Sequence, residues 1–279
     1  MNTDIEHPIS YPAPLDKLLT YGDARQGPAN WADYLALGFG PEHIPDLIRM
    51  ATDLALNLAD TESMEVWAPT HAWRILGQLR SKEAVQPLLD FLEEPEMEYD
   101  DWFSEELPVV IGMIGPVALP ALAEYLADLS RDESARITMT SCIEKIAEKW
   151  PDAREQCITI LTEQLEKLDE NEPDVNGFIV LSLVNMHAIE AAPVIKRAFD
   201  AKSVELSIMG DWNEAQIELG LKTREERAQA QPSPLPLPSV NKMYLPPSSS
   251  DASRGYQGAS HKKTKTKMAK QSRKKNRKR

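Results

Sequence analysis

The sequence predicts an all-α fold: a right-handed α-α superhelix of stacked helix pairs, followed by a disordered C-terminal tail. Three observations carry this reading. Similar stretches recur four times, at residues 72–92, 108–126, 141–161 and 178–199. Leu79, Ile114, Trp150 and Met186 hold one register slot at intervals of 35, 36 and 36 residues. Pro87, Pro120 and Pro193 hold a later slot, with Gln156 in place of the missing proline. Each copy reads as an apolar helical segment, a short break and a second apolar helical segment. A period in the mid-thirties built from helix pairs is the signature of a helical solenoid.

The organisation follows in chain order. Residues 1–29 form an N-terminal extension whose short helix starts at Leu15, because Pro14 disfavours helix in the residue before it. The solenoid spans 30–221. Its first pair is irregular: "WADYLALGFG" reads as a helix and a Gly-rich turn, and "PEHIPDLIRMATDLALN" as a second helix opened by Pro41. Leu47, Ile48, Ala51, Leu54, Ala55 and Leu58 fall on one predicted buried face. In the four central copies, Trp73, Leu76 and Leu79 precede Val85, Leu88, Leu89 and Leu92. Val110, Ile111 and Ile114 precede a Gly-Pro stop and restart. Ile137, Ile143, Ile146 and Ala147 precede Cys157, Ile158, Leu161 and Leu165, and Val180, Leu181, Leu183 and Val184 precede Val194, Ile195 and Ala198. A loop and a short helix N-capped by Asp211 close the stack. Residues 222–261 read as a Pro/Ser-rich disordered linker, lacking the apolar surface needed to offset the entropy of ordering, and 262–279 as a basic tail.

Composition narrows the function classes. The chain has 279 residues and a formal net charge of −13. Residues 262–279 hold eleven Lys or Arg and no acid, so residues 1–261 carry −24. Two cysteines, Cys142 and Cys157, exclude a disulfide framework and read as small core residues of a reducing, cytoplasmic compartment. No run of 18 apolar residues suggests a membrane span, and the acidic, proline-broken start is unlike a secretory signal. No phosphate loop, dinucleotide fingerprint, H-E-x-x-H or nucleophile elbow occurs. His7, His43, His71, His187 and His261 are scattered one per element, which supplies no metal site. The expectation is a non-enzymatic protein with no catalytic, cofactor-binding or metal-ligating residues.

The repeat spacing and the "A…LG.L…EAV.PLL..L" texture resemble HEAT repeats, within the armadillo-like class, and especially the short HEAT-like units of phycobilisome-lyase relatives. The resemblance covers about 71–199, extending weakly to Trp31 and Leu221. "WFSEELPVVIGMIGPVALPALAEYLAD" and "GDWNEAQIELGL" resemble a bacterial HEAT-repeat family of unassigned function, some members of which carry a Cys/His-rich zinc tail; with no cysteine beyond Cys157, that module is missing here. For HEAT proteins the resemblance implies protein–protein scaffolding. For a minority it implies bilin-lyase or chromophore-chaperone activity.

Two stretches are candidate interaction sites. No basic residue occurs between Lys82 and Arg131, and "DFLEEPEMEYDDWFSEEL" carries nine carboxylates, Asp90, Glu93, Glu94, Glu96, Glu98, Asp100, Asp101, Glu105 and Glu106, interleaved with Tyr99, Trp102 and Phe103. Carboxylates beside exposed aromatics attract a basic partner by steering and cation–π contact, so Glu98, Tyr99, Asp100, Asp101, Trp102 and Glu105 are candidate protein-binding residues. Alternatively, these acids solvate a loop, the aromatics pack beneath it, and Asp100 or Asp101 caps the next helix. The second stretch is the tail cations Lys262, Lys263, Lys265, Lys267, Lys270, Arg273, Lys274, Lys275, Arg277, Lys278 and Arg279. They suit phosphate neutralisation by RNA or a ribosome, or an acidic protein. Without aromatics they do not stack on bases. The 33 residues from Gln229 to His261 reach on the order of 30 Å, enough for the tail to touch the acidic loop. The leading expectation is a scaffold, the alternative an RNA- or ribosome-associated binder acting through the tail, and the third a phycobilisome-type lyase or chaperone.

Overall fold

A computed structural model describes residues 10–95 and 101–226, with Asp101 defined in its backbone alone. By its contacts the chain divides into Met1–Ala228 and Gln229–Arg279. The described residues lie in the first unit, and the expected disordered linker and basic tail beyond residue 226 lie outside them. Every regular element among the described residues is helical. Short 3-10 turns at Leu15–Thr20, Pro28–Asn30, Leu35–Leu37 and Pro41–His43 lead into α1 (Ile44–Ala51) and α2 (Leu54–Asn57). Then come α3 (Ala68–Gln78), α4 (Val85–Phe91), α5 (Asp101–Ile114), α6 (Leu119–Ala127), α7 (Glu133–Lys149) and α8 (Arg154–Leu165). The chain continues through α9 (Pro173–Asn185), α10 (Ala192–Asp200), α11 (Leu206–Met209) and α12 (Trp212–Glu218).

The register slot marks where the first helix of each copy stops: Leu79, Trp150 and Met186 are the C-caps of α3, α7 and α9, and Ile114 is the last residue of α5. A 3-10 turn follows each time, at Lys82–Ala84, Pro116–Ala118, Pro151–Ala153 and Ile189–Ala191, and each ends on a buried alanine that seats the second helix. The helix stops share a left-handed residue just past the cap, Arg80 (φ 53°), Gly115 (φ 94°) and His187 (φ 50°). Behind Arg80 and His187, Ser81 N–H donates to Leu76 O and Ala188 N–H to Leu183 O, both at 3.0 Å, so carbonyls orphaned at the helix end are satisfied. In the third copy Pro151 ends the helix instead.

The odd-numbered first helices pack on one another in sequence, α1 on α3, α3 on α5, α5 on α7 and α7 on α9, with α11 against α9. The second helices form another row, α6 against α8, α8 against α10 and α10 against α12. The apolar faces of both rows meet in one core running from Tyr11 to Leu219. The closest pairing is α5 on α7, and two glycines allow it. A Cβ on Gly112 would lie 2.9 Å from Lys145 Cβ, and one on Gly115 would lie 2.6 Å from the Trp150 ring. Trp150 uses that proximity to donate from Nε1 to Gly112 O at 2.9 Å. Buried Arg136 of α7 donates to Leu126 O (3.0 Å), Asn171 Oδ1 (2.7 Å) and Glu172 Oε2 (2.5 Å), tying the end of α6 to the loop before α9.

Three expectations need correction. Residues 31–37 form no α-helix beyond the single 3-10 turn Leu35–Leu37, because α3 side chains hold this stretch by its backbone, as described below. The face predicted across 47–58 does not persist. The helix breaks at Asp53, whose carboxylate accepts from Leu56 N (3.2 Å) and from the Tyr11 hydroxyl (2.7 Å). Past that break Leu56 is buried, while Ala55 and Leu58 are exposed. The second copy starts seven residues before Pro108: α5 begins at Asp101 and carries Pro108 inside it. The closing helix is as expected, with Asp211 Oδ1 accepting from Glu214 N at 3.1 Å.

Among the described residues no single helix is long and apolar enough to cross a membrane. Trp102–Ile114 and Pro116–Ala127 are jointly apolar but bent 110° to each other. Their Leu107, Val110, Ile111, Leu119 and Leu122 are buried in the core.

Candidate functional site: the outer face of the first-helix row

At one end of the row, the outer face of α3 is covered. Residues 21–34 run across it, and three α3 side chains spaced three and four residues apart capture their main chain. His71 Nε2 lies 2.9 Å from Gly22 O, which can only accept. Nε2 therefore carries the proton, and Nδ1 accepts from the Tyr34 hydroxyl at 2.6 Å. Burial, abetted by the nearby Arg74 guanidinium, holds His71 below the usual imidazole range against the opposing pull of the Gly22 carbonyl. Arg74 donates to Ala24 O (2.7 Å) and Gln26 O (3.3 Å) and lies over the Trp31 ring, 4.5 Å from its centroid. One turn on, the Gln78 amide donates to Ala32 O (2.7 Å) and accepts from Tyr34 N (3.0 Å). Ala32 and Tyr34 thus offer Gln78 an acceptor and a donor two residues apart on one main chain.

The acidic stretch contributes to the same cluster. Glu106 of α5 pairs with Arg74 and accepts from Arg74 Nε (2.9 Å) and Trp73 Nε1 (3.0 Å). Phe103 is buried, its ring 5.0 Å from Trp73 and 5.5 Å from Phe91. Glu93 accepts from the Tyr125 hydroxyl (2.8 Å) and Arg131 (2.7 Å). These acids and this aromatic build the fold. Trp102 is half-buried against Trp67, edge to face at 5.8 Å, and Glu105 is exposed on α5. Glu98, Tyr99, Asp100 and the Asp101 side chain lie outside the described residues, as do all eleven tail cations from Lys262 to Arg279. Since α5 starts at Asp101, the predicted cap position falls on Asp100, also outside.

No family model, no curated protein and no solved structure matches this chain. What the face can do rests on its own chemistry.

Carried through the repeat register, Arg74 and Gln78 of α3 correspond to Val109 and Met113 of α5 and to Lys145 and Lys149 of α7. These four are only half-buried or exposed. The next first helix, α9, is covered again: α11 lies on it, Glu205 N–H donates to Pro173 O (3.0 Å), and Ile208 abuts Gly177. The outer face is thus closed at α3 and at the start of α9 and open over α5 and α7. At the edge of the open part lies a pocket of about 290 Å³, walled by Trp31, Ala32 and Asp33 of the captured segment and by Leu35 just beyond it. Gly77, Gln78, Arg80, Met113 and Lys149 complete its lining.

The face holds no convergent acid–base pair. Among the described residues no three His, Cys, Asp or Glu side chains gather as a metal site requires. Burial pushes the Cys142 thiol up, and the Cys157 thiol up to about 11, so both are poor nucleophiles. Sequence reasoning singled out Trp102 and Glu105 on this face but not Gln78, Met113 or Lys149. Their equivalence was available in the 35- and 36-residue intervals.

Proposed function

We propose that the stacked helix pairs form a right-handed, HEAT-like solenoid and that the protein is a non-enzymatic scaffold whose α5–α7 outer face receives a segment of another protein. The observation that carries this is the capture of residues 21–34 by His71, Arg74 and Gln78. It is a worked instance, within the chain, of this row of helices binding an irregular segment by its main chain. The corresponding positions one and two repeats on remain accessible. Stacked repeats create such extended surfaces as a by-product of their regular rotation. Trp102 and Glu105, at the far end of the α5 stripe, lie on the same path.

The test is affinity capture from native lysate, with and without nuclease, using three full-length proteins. These are the unaltered chain, a Val109→Arg/Met113→Arg variant, and a variant with the eleven tail cations changed to Gln. Partners lost with the α5 variant and retained by the tail variant are expected. Partners lost with the tail variant or with nuclease would move function to RNA binding by residues 262–279.

A further inference from the structure

We infer that the segment received on the α5–α7 face is acidic, placing a carboxylate beside an apolar side chain in the pocket at the end of α3. The inference rests on the scaffold reading and specifies its ligand.

Size is the first consideration. A pocket of about 290 Å³ lies at the lower edge of the range of cofactor and small-molecule sites, roughly 300–1,000 Å³, and suits one or two side chains. The lining chemistry is the second. Met113, Leu35 and Gly77 supply an apolar floor, while Arg80 and Lys149, both exposed, bring two cations to the rim. Among the described residues neither cation has a carboxylate within 4.0 Å, and neither side chain donates to any acceptor. The Arg80 guanidinium is nonetheless held in place, 4.8 Å from the Trp150 ring centroid. Asp33, the one acid in the lining, is occupied in its own turn, where Oδ1 accepts from Ala36 N at 3.1 Å. A cationic rim is out of keeping with a body that carries −24 over residues 1–261, so charge complementarity favours an anionic occupant. The pocket wall is the third consideration. Trp31 is extended (φ −63°, ψ 144°), Tyr34 is helical and Leu35 opens a 3-10 turn, so the wall is a bend that receives a side chain rather than an edge that pairs with a strand.

The experiment is selection of a phage-displayed random dodecapeptide library on the full-length protein. Binding of the enriched peptides is then measured to Lys149→Glu, Arg80→Gln and Met113→Arg variants whose melting temperatures match the parent. The expected result is enrichment of Asp or Glu next to Leu, Ile, Met or Phe. Affinity should fall at least tenfold in Lys149→Glu and in Met113→Arg, and severalfold in Arg80→Gln. Enrichment of Lys or Arg, or peptides lost with Met113→Arg but indifferent to Lys149→Glu, overturns the acidic ligand while leaving the face as a docking surface. Peptides indifferent to Met113→Arg, or no enrichment, overturn both.

Discussion

Arg74 of α3 and Glu106 of α5 form an ion pair across two neighbouring repeats with almost no access to water, their side chains being 2% and 13% exposed. The pair is hydrogen-bonded on both sides, to Ala24 O beyond the arginine and to Trp73 Nε1 beyond the glutamate. Removing one member strands the other charge, which costs about 3–5 kcal/mol. Glu106→Ala is therefore expected to lower urea-unfolding stability by that amount. Glu124→Ala, at an exposed position on α6, should change it by less than about 0.5 kcal/mol. Equal effects would show that Glu106 is not an internal partner.

His71 makes the capture of the N-terminal segment sensitive to pH. Its folded-state pKa lies below the unfolded value of 6.5 because burial disfavours the imidazolium. As pH falls below about 6.5 the unfolded chain takes up a proton that the folded chain resists, so stability present above that pH is progressively lost down to the folded pKa. Unfolding free energy measured from pH 7.5 to 5 should show this decline. A His71→Gln variant, less stable at pH 7.5, should show a shallower one.

Gly112 sets the distance between α5 and α7. With Lys145 Cβ and the Lys145 carbonyl at 2.9 and 3.1 Å from the position a Cβ would take, Gly112→Ala must push the helices apart or bend one of them. The expected cost is about 1–3 kcal/mol, the usual penalty of overpacking. It should be accompanied by weakening of the Trp150–Gly112 hydrogen bond, read as a change in Trp150 fluorescence.

His187 occupies a left-handed position at the end of α9 with φ 50°. A side chain there costs about 1–2 kcal/mol relative to glycine. His187→Gly is expected to stabilise the protein by about 1 kcal/mol, raising Tm by about 2–4 °C. An unchanged or lower Tm would show that the His187 side chain contributes packing that outweighs the strain.

The helix pairs were legible because their signal is local and repeated. Leu79, Ile114, Trp150 and Met186 mark helix stops; Gly115-Pro116 and Pro151 announce two of them locally, while the stops at Leu79 and Met186 are legible only through the repeat interval. Residues 31–37 were not legible in the same way. Their apolar pattern is compatible with helix, but Gln78, some 44 residues later, takes both the Ala32 carbonyl and the Tyr34 amide into its own hydrogen bonds. Nothing near Tyr34 announces that partner. The same holds for the acidic stretch: whether Glu106 faces water or Arg74 depends on the packing of α5 against α3, which no count of charges reveals. Trp102 and Glu105 were expected on an acidic loop, whereas both belong to α5, and the pocket beside Met113 and Lys149 is assembled from three helices and a captured segment.

That captured segment also imposes an order of events on synthesis. Residues 21–34 leave the ribosome before α3, and the guanidinium that holds Ala24 is itself positioned by Glu106 of α5. Residues 21–34 thus have no complete seat until more than seventy further residues have been made and α5 has docked on α3. A segment made before α3 is fully secured only once α5 is in place.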